Sequence, residues 1–408
     1  MFAVPRRRIN LYKGTFLSIV RAMVGGRLHA GENVRLFEKE FAEYIGRHHA
    51  VSVSSGTAAL ALILGHLDLH PGDEVIVPAY TCVSVPACIQ DLGLTLKFVD
   101  INMATDNMDL EALQGVVSGK TKVIIVTHLF GKPCPMAEIS AFAKEKCIYI
   151  IEDCAHSLGA EYQGGKVGRF SEAAYFSFSM TKPWNLFNGG MVVTDNDRLS
   201  IRIRTEVNNL PDMPLRNIIK NMGVAYYLFL VTRPFIFTFT LYFLLLLMSI
   251  VKKDFIKCYN TLFKKMIVYG SAKYKFTNVQ ALCGRRMLAE FDHIIKARDA
   301  RVARFEELAG SMVPKLKAQN VTSPGAKPFW YYYVIKSPFK NKIIKDLLWQ
   351  GIDTGKFVAQ NCGELFDPDH SYSEAQQAYE TSVQIPIEYC SDDQMIRILQ
   401  ILKKYFYE

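Results

Sequence analysis

Short apolar runs alternate with helix-like stretches through the first half of the chain. The runs 75–77, 96–99, 123–126, 148–152 and 174–178 have the length of strands, and segments with helical character, 109–117 and 136–144, fall between them. That alternation predicts an α/β fold, a mostly parallel sheet covered by helices. From about residue 278 the pattern becomes one long helix followed by a smaller C-terminal α/β unit. Residues 330–335 read as a strand there and 392–407 as a final helix. At 408 residues the chain is long enough for two domains. The expected division is a large domain over 1–215, an apolar helical insertion over 216–270 and a small domain over 271–408.

The insertion breaks the alternation. Residues 235–251 contain no charge, and Leu244, Leu245, Leu246 and Leu247 make the segment apolar on every helical face. Arg233 and Pro234 divide it into two arms, 223–232 and 235–251.

Two loops carry candidate chemistry. The run Val51-Ser52-Val53-Ser54-Ser55-Gly56-Thr57 reads as a strand end and a turn, followed by an Ala- and Leu-rich helix. The free amides at such a helix start can hold a phosphate, with the Thr57 hydroxyl as a further donor; Ser55 or Thr57 could equally be a plain N-cap. About thirty residues separate a strand ending in Glu152-Asp153 from a loop lysine, Lys182, that follows a second strand. An acid and a lysine in that order are what a pyridoxal phosphate enzyme needs. The lysine amine forms a Schiff base with the cofactor aldehyde, and the acid keeps the pyridine nitrogen protonated.

The stretches SSGTAALALIL, PGDEVIVPAYTCVSV, VIIVTHLFGKP, IEDCAHSLGAEYQGGKVG, FSFSMTKPWNLFNGGMVVTDND and TNVQALCGRRMLAEFDHIIKARDARVARF resemble the DegT/DnrJ/EryC1/StrS sugar aminotransferases, which have the fold of type I pyridoxal phosphate enzymes. The resemblance runs from about Gly31 to the C-terminus, apart from the insertion. It implies Lys182 and Asp153 as catalytic residues, and Gly56, Thr57, Asp153, His156, Ser177 and Lys182 as contacts to pyridoxal 5'-phosphate. Ser177 would touch the phosphate and His156 the ring hydroxyl. It also implies a keto-sugar substrate, an amino-acid donor such as glutamate, and a homodimer. Two positions depart from the family. Cys82 stands where the family often places an aromatic ring over the cofactor, leaving Tyr80 or His128 to cover it, or weak stacking. Lys273 stands where the family often has an asparagine that reaches the partner's cofactor. Lys182 argues against the dehydratases on this scaffold, which carry histidine there.

Composition adds a location. The formal net charge is +9, and basic residues flank the insertion on both sides: Arg216 and Lys220 before it, Lys252, Lys253, Lys257, Lys264 and Lys265 after it. That pattern suits an anionic cytoplasmic leaflet. A single span would separate the two halves that the family fold packs together, so a re-entrant or interfacial segment is expected, contacting lipid through 223–251. Burial in a subunit interface is the alternative. No nucleic-acid motif accompanies the charge. Pro5-Arg6-Arg7-Arg8 is basic, but no apolar run of signal type follows. The nine cysteines show no zinc spacing, so no metal is expected. The combined expectation is a keto-sugar aminotransferase at the cytoplasmic face of the membrane, on a nucleotide- or lipid-linked sugar. A lipid ketone substrate, or a catalytically weak cofactor-binding scaffold, are the alternatives.

Overall fold

The computed structural model describes residues 2–12, 14–29, 31–251, 274–317, 321–355 and 359–406. Strands β1 (His49–Val53), β2 (Glu74–Pro78), β3 (Thr95–Val99), β4 (Thr121–Thr127), β5 (Tyr149–Asp153), β6 (Ala173–Ser177) and β7 (Gly190–Thr194) form one sheet in the order β1-β7-β6-β5-β4-β2-β3. Neighbours from β3 through β6 pair in parallel, and β7 runs antiparallel to both β1 and β6. The central strands read as nearly continuous apolar runs because helices cover both faces. Val75, Val77, Val123 and Ile125 enter the main core, while Ile76, Ile124 and Val126 join a second cluster with Met136 and Ile139 on the opposite face. The sequence expectation of a mostly parallel, helix-covered sheet is met.

Helix α4 (Asn278–Met312) leads from the sheet to the C-terminal unit. Thr277 and Gln280 close a reciprocal capping box at its start. A separate apolar core gathers its C-terminal half, strands β8 (Tyr333–Lys336) and β9 (Ser382–Ile385), and α5 (Asp392–Phe406). The strand expected over 330–335 begins only at Tyr333. Trp330 sits at φ 39°, and this left-handed residue turns Tyr331 and Tyr332 out of the strand path.

The N-terminal segment crosses to this unit. Val4 bridges Ile352, and Arg6 forms a buried fork with Asp353, with Nη2 to Oδ1 at 2.7 Å.

The insertion forms α2 (Leu215–Val231) and α3 (Pro234–Val251), which break at Arg233 as expected, with Pro234 opening α3. One turn of α3, Thr238–Tyr242, is π-helical. By length and composition alone α3 could cross a membrane: its 18 residues have a mean hydropathy of 2.2. The insertion is docked into both cores rather than set apart from the fold. Ile218, Met222, Ala225 and Leu228 of α2 lie in the main core, and Phe237 and Leu245 of α3 lie in the C-terminal core. A helix apolar on all sides can lend one face to a core and still have another left over. Polar contacts fix the docking: Tyr242 donates to the Leu348 carbonyl at 2.7 Å, and the Ala3 amide donates to Thr238 Oγ1 at 2.8 Å. On the other side of α3, Phe235, Phe239, Phe243, Leu247 and Ile250 are exposed.

Candidate active site

Ligands in a sheet of this kind gather at the carboxyl ends of its strands. One cavity lies there, and Gly56, Thr57, Asp153, His156, Ser177 and Lys182 all line it. The structure therefore brings all six expected residues together.

Their positions follow from local structure. The Ser55 side chain caps helix α1 (Gly56–Gly65) by accepting from the Ala58 amide at 3.0 Å. The amides of Gly56 and Thr57, one and two residues into the helix, have no intrahelical acceptor. Ser55 is thus the cap, and Thr57 lines the cavity. Position 56 must be glycine for space: a Cβ there would lie 2.9 Å from the Ser177 Cβ. This contact presses the α1 start against the end of β6.

Side chains alternate along β5, so Glu152 and Asp153 face opposite ways. Glu152 accepts from the amides of Gly168 and Phe170 at 2.7 and 2.8 Å, accepts from Ser171 Oγ at 2.8 Å, and meets His128 Nε2 at 3.0 Å. His128, Glu152 and Cys154 form a compact group of potential metal ligands. These bonds account for the Glu152 oxygens as a brace for the loop beyond β5. Asp153 points into the cavity. It is buried, and the Ala155 amide donates to Oδ1 at 2.9 Å. Burial raises its pKa above the usual carboxylate value, and the Ala155 amide and the Lys182 charge offset only part of this.

His156 is buried between two rings. Its centroid lies 6.4 Å from that of Phe130, nearly parallel, and 4.6 Å from that of Tyr331. Burial holds the imidazole pKa well below its usual value, helped by the charges of Lys182 and Arg7, so the ring is neutral. Its Nδ1 is buried without a hydrogen-bond partner.

Lys182 sits in the loop after β6, with its amide donating to the Ser179 carbonyl at 2.9 Å. Its Nζ lies 5.5 Å from the centre of the Tyr331 ring. Tyr331 donates to the Thr181 carbonyl at 2.8 Å and accepts from the Tyr332 hydroxyl at 3.0 Å. Tyr331 therefore fixes the loop that carries the lysine while packing against His156. The sequence reading missed it, because the aromatic run 330–333 looks like a strand.

The departures resolve in part. Cys82 lines the cavity, its Sγ 3.3 Å from Ser84 Oγ. Neither suggested substitute does so. Tyr80 is buried against Phe130, and His128 is tied to Glu152. Thiol and hydroxyl therefore stand where an aromatic face was expected. Lys273 lies outside the described residues.

The residues fit pyridoxal phosphate. A buried, proton-hungry carboxyl suits a pyridinium N–H, the orphaned His156 Nδ1 offers a partner to a ring oxygen, and the α1 start offers free amides to a phosphate. Sheet order, acid and lysine together define a pyridoxal phosphate-dependent aminotransferase. The chain belongs to the DegT/DnrJ/EryC1/StrS aminotransferase family, which it matches over residues 13–403.

Relatives and solved structures agree. The chain is 28% identical to the protein MJ1066 of Methanocaldococcus jannaschii over 394 residues, covering 92% of this chain and 90% of that protein. It is 29% identical to the GDP-perosamine synthase of Caulobacter vibrioides over 322 residues, 78% of this chain and 74% of the relative. The crystal structure of the aminotransferase from Psychrobacter cryohalolentis superposes with a TM-score of 0.77 at 22% identity, covering 99% of this chain and 98% of that one, a likeness of fold.

Proposed function

We propose that this protein transfers an amino group from glutamate to a keto-sugar carried on a nucleotide or a lipid, as a homodimer at the cytoplasmic face of a membrane. The observation that carries the chemistry is the meeting of Asp153 and Lys182 in one cavity with the α1 phosphate loop. One relative is a GDP-perosamine synthase, which supports a sugar as the acceptor.

When bound, pyridoxal phosphate supplies an electron sink that acidifies the donor α-carbon. The protein does the rest. Gly56 and Thr57 amides with Ser177 anchor the phosphate. Asp153 holds a proton on the ring nitrogen. Neutral His156 orients the ring oxygen without adding charge. Lys182 Nζ takes the proton from the donor α-carbon and later returns one to the sugar carbon, a general base and then a general acid. Tyr331 positions it by holding Thr181.

The exposed stripe of α3 and the basic residues on both sides of the insertion support attachment to a bilayer surface. A helix with one face docked on its own protein suits an interfacial position better than a span.

The test uses purified protein loaded with pyridoxal phosphate, L-glutamate and a panel of nucleotide-linked keto-sugars, read by mass spectrometry. Amino-sugar and 2-oxoglutarate should appear in equal amounts. Absence of 2-oxoglutarate from a fully loaded protein, with or without a ketone, would remove the glutamate assignment.

A further inference from the structure

The N-terminal segment runs antiparallel along the insertion. His29 Nε2 meets the Met213 carbonyl at 2.8 Å, and the Phe16 ring packs edge-on to Tyr226 at 5.9 Å. Further along, the Ile9 amide donates to Thr232 Oγ1 at 3.2 Å, and the Phe2 ring packs edge-on to Phe235 at 5.4 Å. As the residue number falls in one segment it rises in the other, so the two are neighbours from end to end.

Both segments leave apolar side chains outside. The helix Thr15–Val24 buries Thr15, Ile19 and Ala22, and it exposes Phe16, Leu17, Val20, Met23 and Val24. Those five share one stripe at helical spacing, opposite the buried face. A helix on a water-facing surface carries polar residues there, whereas this one is apolar on both faces. Beside it, α2 exposes Leu215, Ile219, Tyr227 and Leu230. The surface is continuous across the boundary because exposed rings make the contacts. Phe16 reaches α2 at Tyr226, and Phe2 meets Phe235, which lies 5.3 Å from Phe239 in the stripe of α3.

Charge says what covers this surface. Residues 1–31 contain no Asp or Glu, and neither do residues 213–253, yet both segments carry Arg and Lys. Arg21, Arg27, Arg216 and Lys220 are exposed, and among the described residues none of the four pairs with an acid. Apolar faces on segments whose only charged side chains are cations match the interface of an anionic bilayer. A second copy of the chain fits less well. A two-fold contact sets a patch against its own image, so bases would face bases with no acid between them. Resting on the membrane reading of α3 above, we infer that the helix Thr15–Val24 is a second membrane contact, and that the protein lies on an anionic leaflet through two elements.

The experiment measures co-sedimentation of the whole, cofactor-loaded chain with vesicles of phosphatidylcholine alone and of phosphatidylcholine mixed with phosphatidylglycerol. Leu17→Ser with Val24→Ser should weaken binding to the mixed vesicles by about tenfold or more, since both side chains are exposed and neither belongs to an apolar core. Arg21→Gln with Arg27→Gln should weaken it by roughly fivefold per charge and leave binding to phosphatidylcholine alone unchanged. Ile19→Ala, on the buried face of the same helix, should lower the melting temperature and leave vesicle binding as it is, which separates lost contact from lost fold. Phe239→Ser with Phe243→Ser reports on α3 separately. If that pair loses binding while the folded Leu17→Ser, Val24→Ser protein binds like wild type, the N-terminal helix is no membrane contact and α3 is an anchor by itself. Wild type that binds neither vesicle overturns the membrane reading and this inference together. A Leu17→Ser, Val24→Ser protein that keeps vesicle binding but turns from dimer to monomer in light scattering assigns the helix to a subunit interface, which also overturns the inference.

Discussion

Asp153 stands directly opposite Tyr175 in the parallel register of β5 and β6. That single pairing aligns the acid with the strand that continues through Ser177 into the Lys182 loop. The two ends of a cofactor are thereby addressed from adjacent strands. The cost is a carboxyl held in a dry place, with its pKa raised chiefly by burial.

Asp153→Asn tests that cost and its purpose together. Because the folded pKa is raised, whatever stability Asp153 contributes is full below the ordinary carboxylate value and is lost as pH rises through the folded value. The cofactor-free variant should therefore melt higher than the cofactor-free wild type at pH 7, with the difference vanishing near pH 3. Transamination should fall by ~10^2- to 10^4-fold, the scale of losing a positioned proton partner. A variant with wild-type activity would mean that another group serves the ring nitrogen.

Lys182→Ala should abolish turnover with any donor while the protein stays folded, since the side chain is only half-buried and belongs to no apolar core. Tyr331→Phe keeps the ring beside His156 but removes the hydroxyl from Thr181. Its kcat should drop by roughly tenfold, the size of one hydrogen bond that positions rather than reacts. Equal kcat in Tyr331→Phe and wild type would reduce Tyr331 to packing. A steady-state comparison at saturating glutamate reads both variants.

Gly56→Ala places a methyl 2.9 Å from the Ser177 Cβ. Both atoms belong to the wall that would face the phosphate, so relief of the clash must part α1 from β6. The variant should lose ~1–3 kcal/mol of stability, as over-packing does, and bind pyridoxal phosphate more weakly. Denaturant melts and a cofactor titration measure the two effects. Unchanged values in both would show that α1 can slide without cost.

The sheet and the six cavity residues were legible because each depends on local signals: buried strand runs, a Ser cap with Gly, and an acid and a lysine at strand ends. Tyr331 was not, since its role needs the positive φ at Trp330 that ends the strand early. The insertion was read correctly as two apolar arms broken at Arg233-Pro234. Its docking was missed because a helix apolar on all sides has no periodicity to say which face is buried.

That docking changes how membrane attachment should be tested. Removing 223–251 would delete Ala225 and Leu228 from the main core and Phe237 and Leu245 from the C-terminal one, so loss of activity would only report misfolding. Point changes on the two faces of α3 separate the roles. Leu245 is buried, and Leu245→Ala should cost ~2–5 kcal/mol of stability without altering where the protein fractionates. Phe239 is 67% exposed and Phe243 57%. Phe239→Ser with Phe243→Ser should leave the denaturant midpoint nearly unchanged, since neither ring supports a core. The same pair should move the protein from the membrane pellet to the soluble fraction, because each exposed Phe that enters a bilayer interface contributes up to ~1.5–3 kcal/mol by area. Vesicles with anionic lipid should bind the wild type more tightly than neutral ones, and salt should narrow the gap. If wild type and the double variant are both soluble without detergent at low salt and bind neither vesicle, α3 is not a membrane element. Its exposed stripe then belongs against a second copy of the chain, and the double serine variant should convert a dimer to a monomer in light scattering.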